Sequence, residues 1–456
     1  MKIVVGTQKS RILTDNPKII SALQKLYTFR VPGATYSAAY RRRSWDGKKR
    51  FISSSGVFRS GLLLKILNHL EKINCHPELE FKIPEILPPP IAKFSNIKYY
   101  DYQEDLIEKA LLTERGVISS PTGSGKTLIM AGLVKSLEKR KMVILFNSKQ
   151  LLKQTYDFFK DVCKIDDIGL CFGEGYIYGN VMLSTVQSIE KIIDTHLKTA
   201  EVLMVDECHE FSAGKRTLAA IQSFPKARWR FGFTATPPSD PIKKYSLEGA
   251  LGSIIKSVDT QELIKEGKLT KPIIQIIERN YTASGEDEQL SYLDVYDKYI
   301  VFNEERNTRI KNIVEEILNR NERSRILILT KSLDHGRALE NLLGNTDVQF
   351  LEGANTLAER YKSISKFRGS RTASTLIGTK ILQTGINIEE ITHFINARGM
   401  KSETATIQAL GRALRISDNK DEVYVYDFID KEKYLSGHSK ERIKHYKKEG
   451  HEVVML

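Results

Sequence analysis

A glycine-rich loop between two apolar stretches constrains the fold of this chain more than any other feature. The run GVISS, typical of a buried strand, is followed by PTGSGKT, Pro121 to Thr127, and then by the helical pattern LIMAGLVKSLEKR. Glycines in such a loop let backbone N–H groups surround phosphate oxygens, and the dipole of the following helix adds to the attraction. The segment predicts a phosphate-binding loop, although Ser120 stands where the general motif has its first glycine.

Short β-branched runs alternate with longer amphipathic stretches beyond residue 95, which is the pattern of parallel sheets covered by helices. One series ends near residue 270, and a second begins at Lys271 with no visible repeat of the first. The cluster Pro84, Pro88, Pro89 and Pro90 resists both helix and central strand, so it predicts a stiff linker. We therefore expect an α/β protein with a domain at 1–88, an α/β unit at 95–270 and another at 271–456.

The positive charge of the chain is concentrated in its first domain. Residues 1–90 hold sixteen Lys and Arg against six Asp and Glu, a net charge of +10 out of +14 for all 456 residues. A basic patch on one small segment is typical of a nucleic-acid-binding module, and a merely soluble surface is the alternative. The expected contacts lie in the run RRRSWDGKKRF and are Arg41, Arg42, Arg43, Trp45, Lys48, Lys49 and Arg50.

The dipeptide Asp46-Gly47 within that run predicts a two-residue β-hairpin. In that register Trp45 would face Lys48, and Arg43 would lie opposite Arg50. Like charges across a strand pair are destabilising, so a phosphate backbone over this face would explain them. Trp45 would either pack as the hairpin's anchor, which we favour, or stack on an unpaired base.

An acidic pair follows a second apolar strand about eighty residues after the glycine-rich loop. The run VLMV leads into Asp206 and Glu207 of the sequence DECH. At this distance from a phosphate-binding loop, Asp206 and Thr127 are expected to bind Mg²⁺, and Lys126 is expected to contact the β- and γ-phosphates of ATP. Glu207 would then orient the attacking water. These residues predict ATP hydrolysis with ATP and Mg²⁺ as cofactors.

The same motifs, with four further segments in the same order, resemble those of the superfamily 2 helicases from about residue 100 to residue 416. The resemblance implies two tandem RecA-like parallel-sheet lobes behind a small basic α+β domain. It implies roles in coupling hydrolysis to movement for Thr234, Ala235, Thr236 and Gln408. The implied ATP-binding residues are Tyr102, Gln103, Thr122, Gly123, Ser124, Gly125, Lys126, Thr127, Gly385 and Asn387.

Two arginines of QALGRALR, Arg412 and Arg415, match the arginine-finger motif of the family. Three residues apart on a predicted helix, they share one face, and they would neutralise charge on the γ-phosphoryl group in the transition state. With Lys126 and Glu207 they form the expected catalytic set. Nucleic acid is expected at Thr185 and Gln187 of STVQS and at Thr379 of GTKILQTGIN.

The DECH box, the compact second unit and the basic segment with Trp45-Asp46-Gly47 resemble, more narrowly, the phage UvsW-type recombination helicases. That resemblance implies an ATP-dependent helicase or translocase that remodels branched or duplex-containing DNA by branch migration or by fork and D-loop processing. Three alternatives remain open at this point. They are an RNA helicase, an ATP-gated binding switch, and a nuclease-coupled restriction subunit, for which no additional carboxylate-lysine cluster is found.

Neither a membrane span nor a signal peptide is predicted, because apolar runs are too short and IVV near Met1 gives way at once to Gly-Thr-Gln-Lys. Four scattered cysteines suggest neither a zinc site nor a disulfide framework and fit a reducing cytosol. We expect a cytoplasmic monomer, in the host cytoplasm if a phage encodes it. The basic run near Lys444 is expected to be a solvated helix end.

Overall fold

The computed structural model describes residues 1–212, 214–278, 289–320, 323–344, 346–379, 388–401, 406, 410–411, 413–417 and 420–456, apart from the side chains of Lys215 and Leu357. The chain divides into two compact units. One contains Met1–Ser120 and Gly125–Ser257, and the other contains Pro121–Ser124 and Val258–Leu456. Each unit is built around parallel strands, as the sequence predicts.

The N-terminal region is a small α+β structure. Its four-stranded sheet has the order β5-β2-β1-β6, with β1 antiparallel to β2 and parallel to β6. A separate antiparallel ribbon pairs β3 with β4. The elements are β1 (Lys2–Val5), β2 (Lys9–Leu13), α1 (Pro17–Leu26), β3 (Thr28–Arg30), α2 (Ala38–Arg41), β4 (Lys48–Arg50), β5 (Val57–Arg59), α3 (Leu63–Lys72) and β6 (Glu78–Phe81).

The sheet that follows has eight strands in the order β10-β9-β11-β8-β12-β13-β7-β14, all parallel except for the β9–β10 pair. Its strands are β7 (Arg115–Ser119), β8 (Met142–Phe146), β9 (Ile168–Phe172), β10 (Gly175–Ile177), β11 (Val181–Thr185), β12 (Val202–Val205), β13 (Trp229–Thr234) and β14 (Ile254–Lys256). The helices are α4 (Asp101–Thr113), α5 (Lys126–Ser136), α6 (Lys149–Asp157), α7 (Lys215–Gln222) and α8 (Pro241–Leu251). Every residue of β8, β11, β12 and β13 is buried, which is typical of a sheet covered on both faces.

The second unit contains a seven-stranded parallel sheet in the order β17-β18-β16-β19-β20-β15-β21. Its strands are β15 (Lys271–Glu278), β16 (Arg325–Leu329), β17 (Val348–Leu351), β18 (Ser374–Gly378), β19 (His393–Asn396), β20 (Glu422–Ile429) and β21 (Val453–Met455). The helices are α9 (Thr260–Lys265), α10 (Tyr292–Tyr296), α11 (Glu304–Arg320), α12 (Leu333–Leu342), α13 (Leu357–Gly369) and α14 (Leu435–Lys448). The expected fold class, two RecA-like lobes behind a small basic α+β region, is confirmed, whereas the boundaries 1–88, 95–270 and 271–456 stay a prediction.

The N-terminal region packs tightly on α8 of the first unit. A Cβ added to Gly61 would lie 2.1 Å from the backbone oxygen of Glu248 and 2.8 Å from that of Gly249. The ring of Tyr245 stacks on Phe29 of the β3–β4 ribbon, with centroids 5.1 Å apart. The ammonium of Lys65 lies 3.2 Å from the buried carboxylate of Glu248. Glycine is therefore required at position 61, because any side chain there would separate the two surfaces.

Candidate functional site

The phosphate-binding loop lies where the sequence predicts it, between β7 and α5. Gly123 and Gly125 have φ angles of 88° and 79°, in the left-handed region that glycine adopts without strain. The ammonium of Lys126, at the start of α5, donates to the backbone oxygen of Ser120 at 3.0 Å. The loop thus has the backbone conformation and the helix N-terminus that phosphate binding requires, with a cation folded against it.

Gln103 lies directly against this loop. Its side chain is buried, and its Oε1 accepts from the backbone N–H of Tyr100 at 3.0 Å. A Cβ added to Gly125 would lie 2.5 Å from Gln103 Nε2, so the two residues are in close contact. The ring of Tyr102 stacks on Tyr100, with centroids 5.9 Å apart. The structure therefore brings together the predicted Gln103, Tyr102 and phosphate-binding loop.

The acidic pair follows β12, close to Lys126. The Asp206 side chain is half-buried, and partial burial raises its pKa well above the usual range, with the neighbouring Glu207 carboxylate as the second cause, while Lys126 opposes the shift. Asp206 Oδ1 accepts from the N–H of Glu207 at 3.0 Å. Glu207 has a φ of 43°, a conformation that costs of order 1–3 kcal/mol for a residue with a side chain. Two carboxylates held together at this cost are a chemically suitable place for a divalent cation.

A hydrogen bond connects the acidic motif to the predicted coupling motif. His209 Nδ1 lies 2.9 Å from Thr234 Oγ1, and it lies 3.4 Å from Glu207 Oε2. Thr234 Oγ1 also accepts from the N–H of Thr236 at 3.0 Å. Sequence patterns give His209 no role, yet the 3₁₀ turn Cys208–Ser212 directs it toward the end of β13, the neighbour of β12. The histidine of DECH is the one sequence signal that could have indicated this link.

The motifs of the second unit are described only in part, since Gly385, Asn387, Gln408 and Arg412 lie outside the described residues. Arg415 is half-buried, and burial lowers its pKa from the ordinary value while Glu389 opposes the shift. Its backbone oxygen accepts from Thr270 Oγ1 at 3.2 Å. A Cβ added to Gly411 would lie 2.4 Å from Thr122 Cβ, a residue that belongs to the same unit. Gly411 is therefore closely packed against Thr122.

The three residues predicted to contact nucleic acid from the two lobes differ in accessibility. Thr185, at the end of β11, is buried, and its Oγ1 lies 3.1 Å from Ser188 Oγ. Gln187, two residues further on, is exposed. Thr379, which follows β18, is buried. Of the three, Gln187 is the side chain that solvent reaches freely in this structure.

The prediction of a two-residue hairpin at Asp46-Gly47 is wrong. Strand β4 pairs instead with β3, so Arg50 lies opposite Thr28 and not opposite Arg43. Gly47 is buried, and its backbone oxygen accepts from the N–H of Val31 at 2.8 Å. Asp46 forms an ion pair with Arg50, four residues along the chain. Local turn chemistry is outweighed by pairing with a strand that lies about twenty residues earlier.

The cations of this segment are solvent-exposed, as expected for a nucleic-acid-binding surface. Arg50 is paired with Asp46, whereas no carboxylate in the described part of the chain lies within ion-pair distance of the other five. Trp45 is half-buried, and its indole N–H donates to the backbone oxygen of Lys48 at 2.9 Å. The six exposed cations are Arg41, Arg42, Arg43, Lys48, Lys49 and Arg50.

Within the described residues, every helix is too short or too polar to cross a membrane. Among the same residues, no group of three or more His, Cys, Asp or Glu side chains is placed so that it could hold a metal ion.

Comparison with known proteins identifies the families to which the two α/β units, together called the motor, are similar. The family model for the type III restriction enzyme res subunit matches residues 96–239, and the helicase conserved C-terminal domain matches residues 308–417. Together they cover more than half of the chain.

Among curated proteins, the ATP-dependent DNA helicase uvsW of Enterobacteria phage T4 is 25% identical, over 95% of this chain and 94% of its own length. The DNA 3'-5' translocase XPB2 of Sulfurisphaera tokodaii is 22% identical, over 75% of this chain and 84% of its own length. The structure of S. cerevisiae Dbp5 bound to RNA and ADP BeF3 superposes with a TM-score of 0.57 at 16% identity, over 79% of this chain and 90% of that chain, which shows the fold alone. With its phosphate-binding loop, acidic pair and two RecA-like lobes, this chain belongs to the superfamily 2 helicases and is an ATP-dependent helicase that resembles phage T4 uvsW.

Proposed function

We propose that this protein is an ATP-dependent DNA helicase or translocase that remodels branched DNA during phage replication and recombination. The observation that carries the proposal is the extent of the match to uvsW. It covers 95% of this chain, whereas the match to XPB2 covers 75%. The similarity to a phage DNA helicase therefore extends to the basic N-terminal region as well as to the motor.

The phosphate-binding loop would hold the triphosphate of ATP. Lys126, which donates to the Ser120 oxygen in this structure, would turn to the phosphate oxygens. Backbone N–H groups at the start of α5 would donate to the same phosphates, and the helix dipole favours their charge. Gln103 is buried against Gly125. Together with its neighbour Tyr102, it would contact the adenine of ATP.

Thr127 and Asp206 are the residues that would hold a magnesium ion. Burial and the neighbouring Glu207 raise the pKa of Asp206, so a carboxylate there calls for a cation beside it. Mg²⁺, when bound, supplies charge neutralisation at the phosphate oxygens. Asp206 and Thr127 would hold the ion, and Glu207 would accept a hydrogen bond from the attacking water and orient it. His209 would transmit a change at Glu207 to Thr234, the first residue of the coupling motif.

Arg412 and Arg415 would supply positive charge to the γ-phosphoryl group as the transition state forms. An arginine keeps its proton even where burial lowers its pKa, as at Arg415, so it retains the charge that this role needs. Gln408 would couple that contact to movement of the DNA. Gly385 and Asn387 would touch the nucleotide from the same lobe.

DNA would contact Gln187 and Thr379 in the motor and the exposed cations of the N-terminal region. Thr185 would serve mainly to hold the turn that presents Gln187, since its hydroxyl lies against Ser188. A phage-encoded protein of this kind would act in the host cytoplasm, and we expect it to act as a monomer.

An RNA helicase is the nearest rival but is less favoured. The Dbp5 likeness reflects the shared fold, whereas uvsW and XPB2 are both named as acting on DNA. An ATP-gated switch that binds without unwinding would hydrolyse ATP but separate no strands.

The proposal is tested by unwinding across forks, D-loops, four-way junctions, simple overhangs and an RNA duplex, with the Lys126→Ala variant as the inactive control. We expect ATP-dependent remodelling of the branched DNAs and none by Lys126→Ala, whose phosphate site has lost its cation. Greater activity on the RNA duplex than on any DNA would overturn the choice of substrate. Turnover of ATP without strand separation on every substrate would favour the switch.

A further inference from the structure

The segment around Asp46-Gly47, where the sequence predicts a hairpin, instead forms the wall of a cavity. The 3₁₀ turn Ala34–Tyr36, helix α2 and the turn after it border this cavity, which is widely open to solvent and has a volume of about 650 Å³. Solvent reaches the cavity, because five of its lining residues are exposed. The volume lies within the range of roughly 300–1,000 Å³ that is usual for small-ligand sites. The lining residues are Thr35, Tyr40, Arg41, Arg43, Ser44, Trp45 and Asp46.

Two aromatic residues, Tyr40 and Trp45, line this cavity, and both are half-buried. The indole ring of Trp45 is held in place by a hydrogen bond, which its N–H donates to the backbone oxygen of Lys48. Tyr40 is fixed against Gly47, where an added Cβ would lie 3.1 Å from its ring carbons. Neither ring belongs to the hydrophobic core of the described N-terminal region, which includes the side chains of Ile3, Phe58 and Ile66. Packing of that core therefore does not account for the two rings.

Positive charge lies beside these rings. Arg41 and Arg43 line the cavity, and no carboxylate in the described part of the chain lies within ion-pair distance of either. Arg41 donates to the backbone oxygen of Tyr36 at 3.2 Å, which leaves further N–H groups on the same guanidinium. Asp46, the one acidic residue in the lining, is already paired with Arg50. The cavity therefore combines flat aromatic surface with unneutralised cations.

This combination fits one chemical class of ligand, a nucleotide. A base stacks on an aromatic side chain, and its phosphate pairs with arginine. In a duplex both faces of each internal base are already stacked, so only an unpaired base can offer a face to a protein ring. We propose that this cavity binds one unpaired nucleotide of DNA at a branch point or strand end, with its base against Trp45. The inference rests on the proposed function and names the part of the branched substrate that the N-terminal region would recognise.

The test compares binding, without ATP, to two DNAs that differ by one unpaired nucleotide at a three-way junction. Trp45→Leu should weaken binding to the DNA with the unpaired nucleotide by about 5- to 150-fold, the range for loss of one base–aromatic stack, and leave binding to the fully paired DNA unchanged. Trp45→Phe keeps a flat ring and should restore most of the loss. Tyr36→Leu is the matched control, because Tyr36 is an exposed aromatic residue of the same segment that does not line the cavity.

The wild-type protein offers a second measurement that needs no variant. Of its two tryptophans, Trp229 is fully buried and Trp45 is half-buried. Tryptophan fluorescence should therefore be quenched by the DNA with the unpaired nucleotide and much less by the paired DNA. Equal quenching by both DNAs, or equal weakening of both by Trp45→Leu, would overturn the inference. That outcome would leave unwinding by the wild type intact, whereas failure of the proposed function would appear as an absence of DNA unwinding.

Discussion

The phosphate-binding loop and the basic N-terminal segment both attract phosphate, but they are built in opposite ways. The loop fixes its backbone with Gly123 and Gly125 in left-handed conformations and holds its one lysine against Ser120. The N-terminal segment presents six exposed cations, of which Arg50 alone has a carboxylate partner among the described residues. The loop binds a phosphate group in one defined geometry, whereas the N-terminal segment produces a positive electrostatic potential that attracts many phosphates of a nucleic acid. Substitutions in the motor should therefore change the rate of ATP turnover, whereas substitutions in the N-terminal segment should change the salt-dependent affinity for DNA.

Apart from the inactive Lys126→Ala control, the largest effect on turnover is expected from Arg415→Ala. An arginine that acts on charge developing in the transition state contributes about 10³–10⁵ in rate. We expect kcat to fall by that order while the affinity for ATP changes little. Steady-state ATPase assays and equilibrium nucleotide binding separate the two quantities. A variant whose only defect is weaker ATP binding would remove Arg415 from the catalytic set.

Glu207→Gln should have the next largest effect. The neutral amide replaces the carboxylate that would orient and polarise the attacking water, so turnover should fall by about 10²–10⁴. Binding of ATP and DNA should survive, because Asp206 remains as the expected metal ligand. Nucleotide binding and single-turnover hydrolysis provide the measurement. Loss of ATP binding together with hydrolysis would contradict the assignment of Asp206 as metal ligand and Glu207 as the residue that orients the water.

Gly61→Ala should disturb the surface between the N-terminal region and α8. The new methyl group would meet the backbone oxygen of Glu248, and overpacking of this kind costs about 1–3 kcal/mol. Gly437→Ala is the control, because a Cβ there meets nothing within 4 Å and alanine in a helix is favoured by about 0.5–1 kcal/mol. Urea unfolding should show the two substitutions moving stability in opposite directions. Equal stability of both variants would contradict the tight packing at Gly61.

The smallest effect on turnover is expected from replacing Arg41, Arg42, Arg43, Lys48 and Lys49 together by Ala. ATPase activity on saturating DNA should remain near that of the wild type. Affinity for a branched duplex should fall, and the slope of log K against log salt should flatten by about 0.9 for each lost phosphate contact, so by at most about 4 to 5 units. A salt titration beside the wild type measures the slope. An unchanged slope would mean that these cations face solvent or a protein partner.

The motor could be predicted from sequence because its signals are local. β7, the phosphate-binding loop and α5 follow one another along the chain, and Asp206 and Glu207 directly follow β12. Parallel strand order then brings the ends of β7, β13 and β12 to one edge of the sheet. The predicted roles of these residues stay predictions, although the structure brings the side chains of the first unit together.

The N-terminal segment could not be predicted in the same way, because distant residues decide its structure. Asp46-Gly47 favours a hairpin locally, yet Lys48–Arg50 pairs with Thr28–Arg30. The contact of Gly61 with α8 joins residues nearly two hundred positions apart, and no local pattern indicates it. The hydrogen bond between His209 and Thr234 is hidden from sequence patterns for the same reason.

The packing of Phe29 on Tyr245 has a consequence for the path of DNA. Since the β3–β4 ribbon rests on α8, the exposed cations of β4 have a set position relative to the first lobe's own strand ends. B-form DNA repeats its backbone about every 10–10.5 base pairs. On the proposed function, a ribbon held in this way would contact the duplex at one rotational position relative to the first lobe, so DNA that moves past it would have to rotate about its own axis.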